Sequence, residues 1–257
     1  MHIGSPSSRI NYDHSLNGHT LQGPHSAFSL IFAGATPKSL LDVGCGTGTW
    51  LKAAMDLGVD DLLGLDGIQV PTGQLHVPKE LILHHNLTLP WNLKRKFDAV
   101  MCLEVAEHLD NSFAETLIDA LVLHGDTIYF SAACPGQIGQ HHVNCQWPAY
   151  WQQMFNSRGY ACEDSLRWRI WDEDRIEPWY RQNLFVARRA PWEAGHEPRI
   201  KGVVHPDILS TTISALHWRV QGRRVINRAI SLITSTIPRL VRGLATKVKW
   251  RPRSETQ

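Results

Sequence analysis

The strongest constraint on this chain is the stretch Ser39 to Trp50 (SLLDVGCGTGTW), in which an apolar run ends in an acid and three alternating glycines. Leu40, Leu41 and Val43 read as a short buried strand. Gly44, Gly46 and Gly48 strip the Cβ atoms from the following turn, and a helix is predicted from about Thr47 to Leu57. Glycines at a strand-to-helix turn let backbone N–H groups and the positive end of the helix approach a ligand. Twenty residues past Gly46, a second apolar run, Leu62 to Leu65, ends in Asp66 followed by Gly67. An acid at the end of a second strand can accept both hydroxyls of a ribose. Together these features specify a doubly wound α/β sheet with a ligand at its carboxyl edge.

The rest of the chain alternates as such a sheet requires. Strands are predicted at 39–44, 61–66, 81–85, 97–103 and 127–132, with a helix from Glu104 to about Leu123 and another over 147–158, Pro148 in its first turn. Two late strands, near 161–170 and 184–188, are predicted as an antiparallel hairpin completing seven strands. Residues 1–36 read as a loose leader or lid carrying His14, His19 and His25; residues 37–190 as the α/β domain; residues 191–257 as a linker and helical tail.

Composition adds one point, an asymmetry of charge. The net charge is +2, yet residues 208–254 hold ten Lys and Arg and no acid, leaving residues 1–207 at −7. In the tail, Ile226, Ala229, Ile230, Ile233, Ile237, Leu240, Val241, Leu244 and Val248 recur at helical spacing, with Arg224, Arg228, Arg239, Arg242 and Lys249 opposite. A basic amphipathic helix over 224–250 suits an anionic membrane surface; packing on its own body or on a second copy, as a homodimer, is equally open. No nucleic-acid recognition motif accompanies the charge. Five cysteines without a C-x-x-C pair, and no signal-length or bilayer-spanning apolar segment, predict a cytoplasmic chain with reduced thiols, at most peripheral on the inner membrane surface.

The spacing Gly-x-Gly-x-Gly after Asp42 departs from the Gly-x-Gly-x-x-Gly of NAD enzymes, which disfavours a nicotinamide oxidoreductase. It resembles the first motif of class I S-adenosylmethionine-dependent methyltransferases. Phe97 to Leu109 (FDAVMCLEVAEHL) resembles the fourth-strand motif of their small-molecule members. Phe130 to Trp151 (FSAACPGQIGQHHVNCQWPAYW) and Trp179 to Asn183 (WYRQN) resemble a bacterial subfamily associated with sugar and cell-surface polysaccharide modification, with Cys145 where many members carry Glu. The resemblance implies S-adenosylmethionine as cofactor, held by Asp42, Gly44, Gly46, Gly48, Asp66, Gly67, Asn86, Leu87 and Glu104. It implies O-methylation of a small-molecule or glycan acceptor, with His142 as first candidate for the base and His108 and His141 next. The His141, His142, Cys134 and Cys145 cluster lacks zinc spacing, so no metal is predicted. The alternative from another class is a non-catalytic module of the same fold that anchors a complex or a membrane surface through its basic tail.

Overall fold

A computed structural model describes residues 12–14, 20–33 and 35–217. The chain forms two compact units, Met1–Leu209 and Ser210–Gln257. Of the second, the described part is 210–217, which is helical; the predicted amphipathic helix over 224–250 and His19 of the leader lie outside the described residues.

The first unit is a seven-stranded sheet in the order β3-β2-β1-β4-β5-β7-β6. The strands are β1 (Ser39–Val43), β2 (Asp61–Asp66), β3 (Ile82–His84), β4 (Ala99–Leu103), β5 (Thr127–Ser131), β6 (Tyr160–Glu163) and β7 (Phe185–Arg189). The first five are parallel, and β7 runs antiparallel between β5 and β6. This is the doubly wound sheet with a final antiparallel hairpin that the alternating pattern specifies.

The central strands are buried on both faces, which is why they read as continuous apolar runs. On one face Leu41, Val43, Val100, Cys102, Ile128 and Phe130 pack with α3 (Ala114–His124) and α4 (Pro148–Asn156). On the other, Leu40, Ala99, Met101 and Tyr129 pack with α1 (Gln22–Ile31), α2 (Thr49–Asp56), α5 (Ser165–Ile170) and α6 (Pro178–Asn183). Leu40, Leu41, Val100 and Ile128 are completely buried, and each aliphatic side chain so buried contributes about 1.5–3 kcal/mol.

Two predicted elements differ. The late strand expected over 161–170 ends at Glu163, and α5 begins at Ser165. Leu166 and Ile170, four apart, are buried while Trp168 is half exposed, a helical period that a strand pattern hides. The helix expected from Glu104 is interrupted: short turns at Ala106–His108 and Asn111–Phe113 precede α3. Asp110 accepts the Ser112 N–H and breaks the helix there. That break holds Glu107 and His108 on a loop at the sheet edge. No helix among the described residues is long and apolar enough to cross a membrane.

Candidate active site

Because β1, β2, β4 and β5 are parallel, their carboxyl ends share one edge, and the strand order reverses direction between β1 and β4. A crevice opens at such a switch point. Here it is a cavity of about 290 Å³, near the lower end of the range for ligand sites.

The glycine loop forms its floor. Gly44, Gly46 and Gly48 have φ of +77°, +52° and +80°, the left-handed region that side chains disfavour. Space demands glycine too: a Cβ on Gly44 would lie 2.3 Å from Cγ2 of Val105, and one on Gly48 would lie 2.8 Å from Cγ2 of Val77. The Gly44 and Cys45 N–H groups donate to the Leu65 carbonyl at 2.7 and 3.1 Å, locking the loop to the end of β2. Asp66 completes that lock, accepting from Gly46 N–H at 2.7 Å and from Ile68 N–H at 2.7 Å.

Asp42 stands deeper. It is buried, and its Oδ2 has no hydrogen-bond partner. Burial first, and the Asp66 carboxylate second, push its pKa up to about 8. An unpartnered buried carboxyl oxygen at a cavity wall is a place for a cationic group.

Glu104 follows β4 with φ +54°, a strained conformation for a residue with a side chain. Ser131 holds it there, accepting the Glu104 N–H through its carbonyl at 2.9 Å and its hydroxyl at 3.1 Å. Its carboxyl accepts from Gln137 Nε2 at 2.7 Å and from Asn183 Nδ2 at 3.0 Å. Burial pushes Glu104 up to about 7 despite those donors. Glu107 is fully buried with neither oxygen partnered; burial, then the neighbouring Glu104, push it well above the usual carboxylate range.

The Glu107 carbonyl accepts the N–H groups of Val143 and Asn144 at 2.9 and 3.0 Å, drawing the loop after β5 across the site. His142 and His108 thereby meet with ring centroids 5.1 Å apart. Nδ1 of His142 lies 3.0 Å from the Gln137 carbonyl, and Nδ1 of His108 lies 3.4 Å from the His141 carbonyl. A ring that donates from Nδ1 keeps its lone pair on Nε2. Burial lowers both pKa values, that of His108 to about 4 with His142 as the next cause, so both rings are neutral at pH 7.

Of the sequence-predicted residues, Asp42, Gly44, Gly46, Asp66, Gly67, Leu87, Glu104, His108 and His142 line the cavity. Gly48 caps α2 behind them. His141, at φ +48°, is absent from the lining and serves the site through its backbone carbonyl. Asn86 also stands outside the lining; its Oδ1 accepts from the N–H and hydroxyl of Thr88 at 3.0 and 2.8 Å. Sequence reasoning passed over Tyr12, which covers His108 edge-on at 4.7 Å, and the amide clamp on Glu104. Gln137 and Asn183 belong to motifs that were visible as motifs, but an amide's spelling carries no sign of its partner. Of the aromatics in the two late motifs, Trp179 and Tyr180 line the cavity, while Trp147 faces solvent.

Four carboxyl groups and, among the described residues, no Lys or Arg line this cavity. The strand order, the glycine loop and the acid at the end of β2 decide the architecture. This is a Rossmann-like doubly wound sheet closed by an antiparallel hairpin. Residues 17–131 match a family model described as a methyltransferase domain. No curated protein sequence matches the chain. Similar solved structures include the methyltransferase domain of bacterial CtHen1, 16% identical over 66% of this chain and 100% of that one, TM-score 0.49. Another is magnesium protoporphyrin IX methyltransferase from Synechocystis PCC 6803 with bound SAH, 19% identical over 66% and 83%, TM-score 0.49. A third is DhpI with SAH, 16% identical over 65% and 83%, TM-score 0.47.

Proposed function

We propose that this chain is a class I methyltransferase that uses S-adenosylmethionine and methylates a hydroxyl of a sugar or glycan precursor. The observation that carries the cofactor half is the unpartnered Oδ2 of Asp42 beside the glycine loop. When bound, S-adenosylmethionine supplies a methyl group made electrophilic by its sulfonium. Asp42 holds the ammonium of its methionine half, the glycine loop admits its backbone, and Asp66 receives the ribose hydroxyls on lone pairs that its two N–H donors leave free. Leu87 offers an apolar contact to the base. A cavity whose described lining holds four carboxyl groups and no Lys or Arg fits a ligand bearing two positive charges.

The acceptor half rests on the Glu107, His108 and His142 side of the cavity. Holding the hydroxyl in line with the methyl group supplies most of the rate. The hydroxyl must also lose its proton, and His142, neutral with Nδ1 engaged, receives it on Nε2 with His108 beside it. Trp179 and Tyr180 give the wall an aromatic face for a sugar ring. The absence of Lys and Arg from the described lining supports an acceptor uncharged near its reacting hydroxyl.

The test is methyl transfer from labelled S-adenosylmethionine to a panel of nucleotide-linked, lipid-linked and free sugars. Label in a sugar ether supports the reading. Transfer only to amines, peptides or nucleic acid overturns its acceptor half.

A further inference from the structure

We propose that Glu107, His108 and His142 together bind a divalent transition-metal cation. Each offers a donor atom lying within 4.8 Å of the other two. The Glu107 carboxyl is completely shielded from solvent, and its charged neighbour is the Glu104 carboxyl, with no cationic side chain in the described lining. A carboxyl group left so is costly unless something at the site compensates it. The histidines are prepared as ligands: each places Nδ1 against a backbone carbonyl, His142 at 3.0 Å and His108 at 3.4 Å. That contact fixes the tautomer and turns the Nε2 lone pair outward, as ligating histidines require.

Two imidazoles and one carboxylate form a borderline donor set, suited to manganese, iron, cobalt or zinc ahead of calcium or magnesium. Three protein ligands leave a coordination position open, and the site sits at the acceptor end of the cavity. A hydroxyl taking that position would have its pKa lowered by the cation. The inference rests on the reading of the cavity as a methyl-transfer site and changes one part of it. With the cation bound, His142 acts on the hydroxyl as a ligand, and the proton passes to water. Nothing in the spelling Glu-His at 107–108 with a histidine thirty-four residues later announces this, because tertiary hydrogen bonds, among them two to the Glu107 carbonyl, bring the loop after β5 and its His142 over the site.

The full-length chain, stripped with a chelator and dialysed, is titrated with Mn²⁺ and separately with Zn²⁺. Binding is followed by electron paramagnetic resonance and calorimetry, and S-adenosylmethionine affinity is measured in the same samples. One ion per chain is expected, weakened at least about tenfold in both His142→Ala and Glu107→Gln, with cofactor affinity retained. His142 lies on a partly exposed loop, so its truncation spares the core. Glu107→Gln replaces the carboxyl with a poorly ligating amide of the same volume. No stoichiometric binding of either ion by protein that still binds the cofactor overturns the metal site and leaves the methyltransferase reading standing. Ion binding unchanged in both variants overturns it as well. Loss of cofactor affinity in the wild-type chain overturns the methyltransferase reading instead.

Discussion

The Asp66 carboxylate accepts the backbone N–H of Gly46, twenty residues earlier in the chain, at 2.7 Å. One side chain at the end of β2 thus fixes the middle of the glycine loop and presents lone pairs to the cavity. Asp66→Ala removes both contributions. Cofactor affinity should fall by about 1.5–3 kcal/mol, the scale of a lost hydrogen bond to a charged group, which calorimetric titration would register as roughly a tenfold to hundredfold weaker Kd. An unchanged Kd would contradict the placement of the ribose.

Asp42 sets stability against binding. Its carboxyl rises from 3.8 to about 8 on folding, so the folded protein keeps a proton that the unfolded chain releases between those values. Stability therefore declines as pH rises from about 4 to 8 and is level above that. Asp42→Asn abolishes the titration. The variant should melt higher than wild type at pH 7–8, by roughly 2–4 °C for each kcal/mol recovered, and bind cofactor at least about tenfold more weakly through loss of one charge-assisted bond. Thermal melts across pH, paired with titrations, check both halves.

The same group predicts a proton count. At pH 7 the Asp42 carboxyl is mostly protonated, and pairing with an ammonium ionises it, so cofactor binding should release close to one proton. Calorimetry in buffers of different ionisation enthalpy reads that number directly. Affinity should strengthen as pH climbs toward 8, until the amine of the ligand itself begins to titrate.

Gly44→Ala meets two obstacles, a φ of +77° and a Val105 methyl 2.3 Å from the new Cβ. Placing alanine there should cost about 1–3 kcal/mol for the backbone plus the clash. Val105→Ala in the same chain should recover the clash alone. Equilibrium unfolding of the two single variants and the double variant should therefore show non-additivity with incomplete rescue.

Asn183→Leu unclamps Glu104. One of the two amide donors to a buried carboxyl disappears, and Gln137 Oε1 loses its 2.9 Å bond from the same amide. Stability should fall by about 1–3 kcal/mol, seen as a lower denaturation midpoint with an unchanged slope.

Much of this was legible in the sequence, and the reasons are physical. A parallel strand buried on both faces must be spelled with a continuous apolar run, as Leu40 to Val43 is, and a glycine that needs φ near +80° has few substitutes. Those two constraints made the sheet, the loop and Asp66 readable. What stayed hidden depends on tertiary contacts with no local period. Nothing local in the sequence buries Glu107: the break at Asp110 and the loop at Val143 and Asn144 enclose it. The resemblance gives Asn86 as a ligand contact, and no local pattern shows that its Oδ1 also accepts the N–H and hydroxyl of Thr88. Tyr12 sits in a segment without periodicity, and its contact with His108 spans almost one hundred residues.

The central claim is that this cavity binds S-adenosylmethionine. Calorimetric titration of the purified full-length chain with S-adenosylmethionine and S-adenosylhomocysteine, with NADH as control, tests it most directly. Micromolar, one-to-one binding of the first two and none of the third is the predicted result. Absence of binding by both sulfur ligands in folded protein would contradict the account.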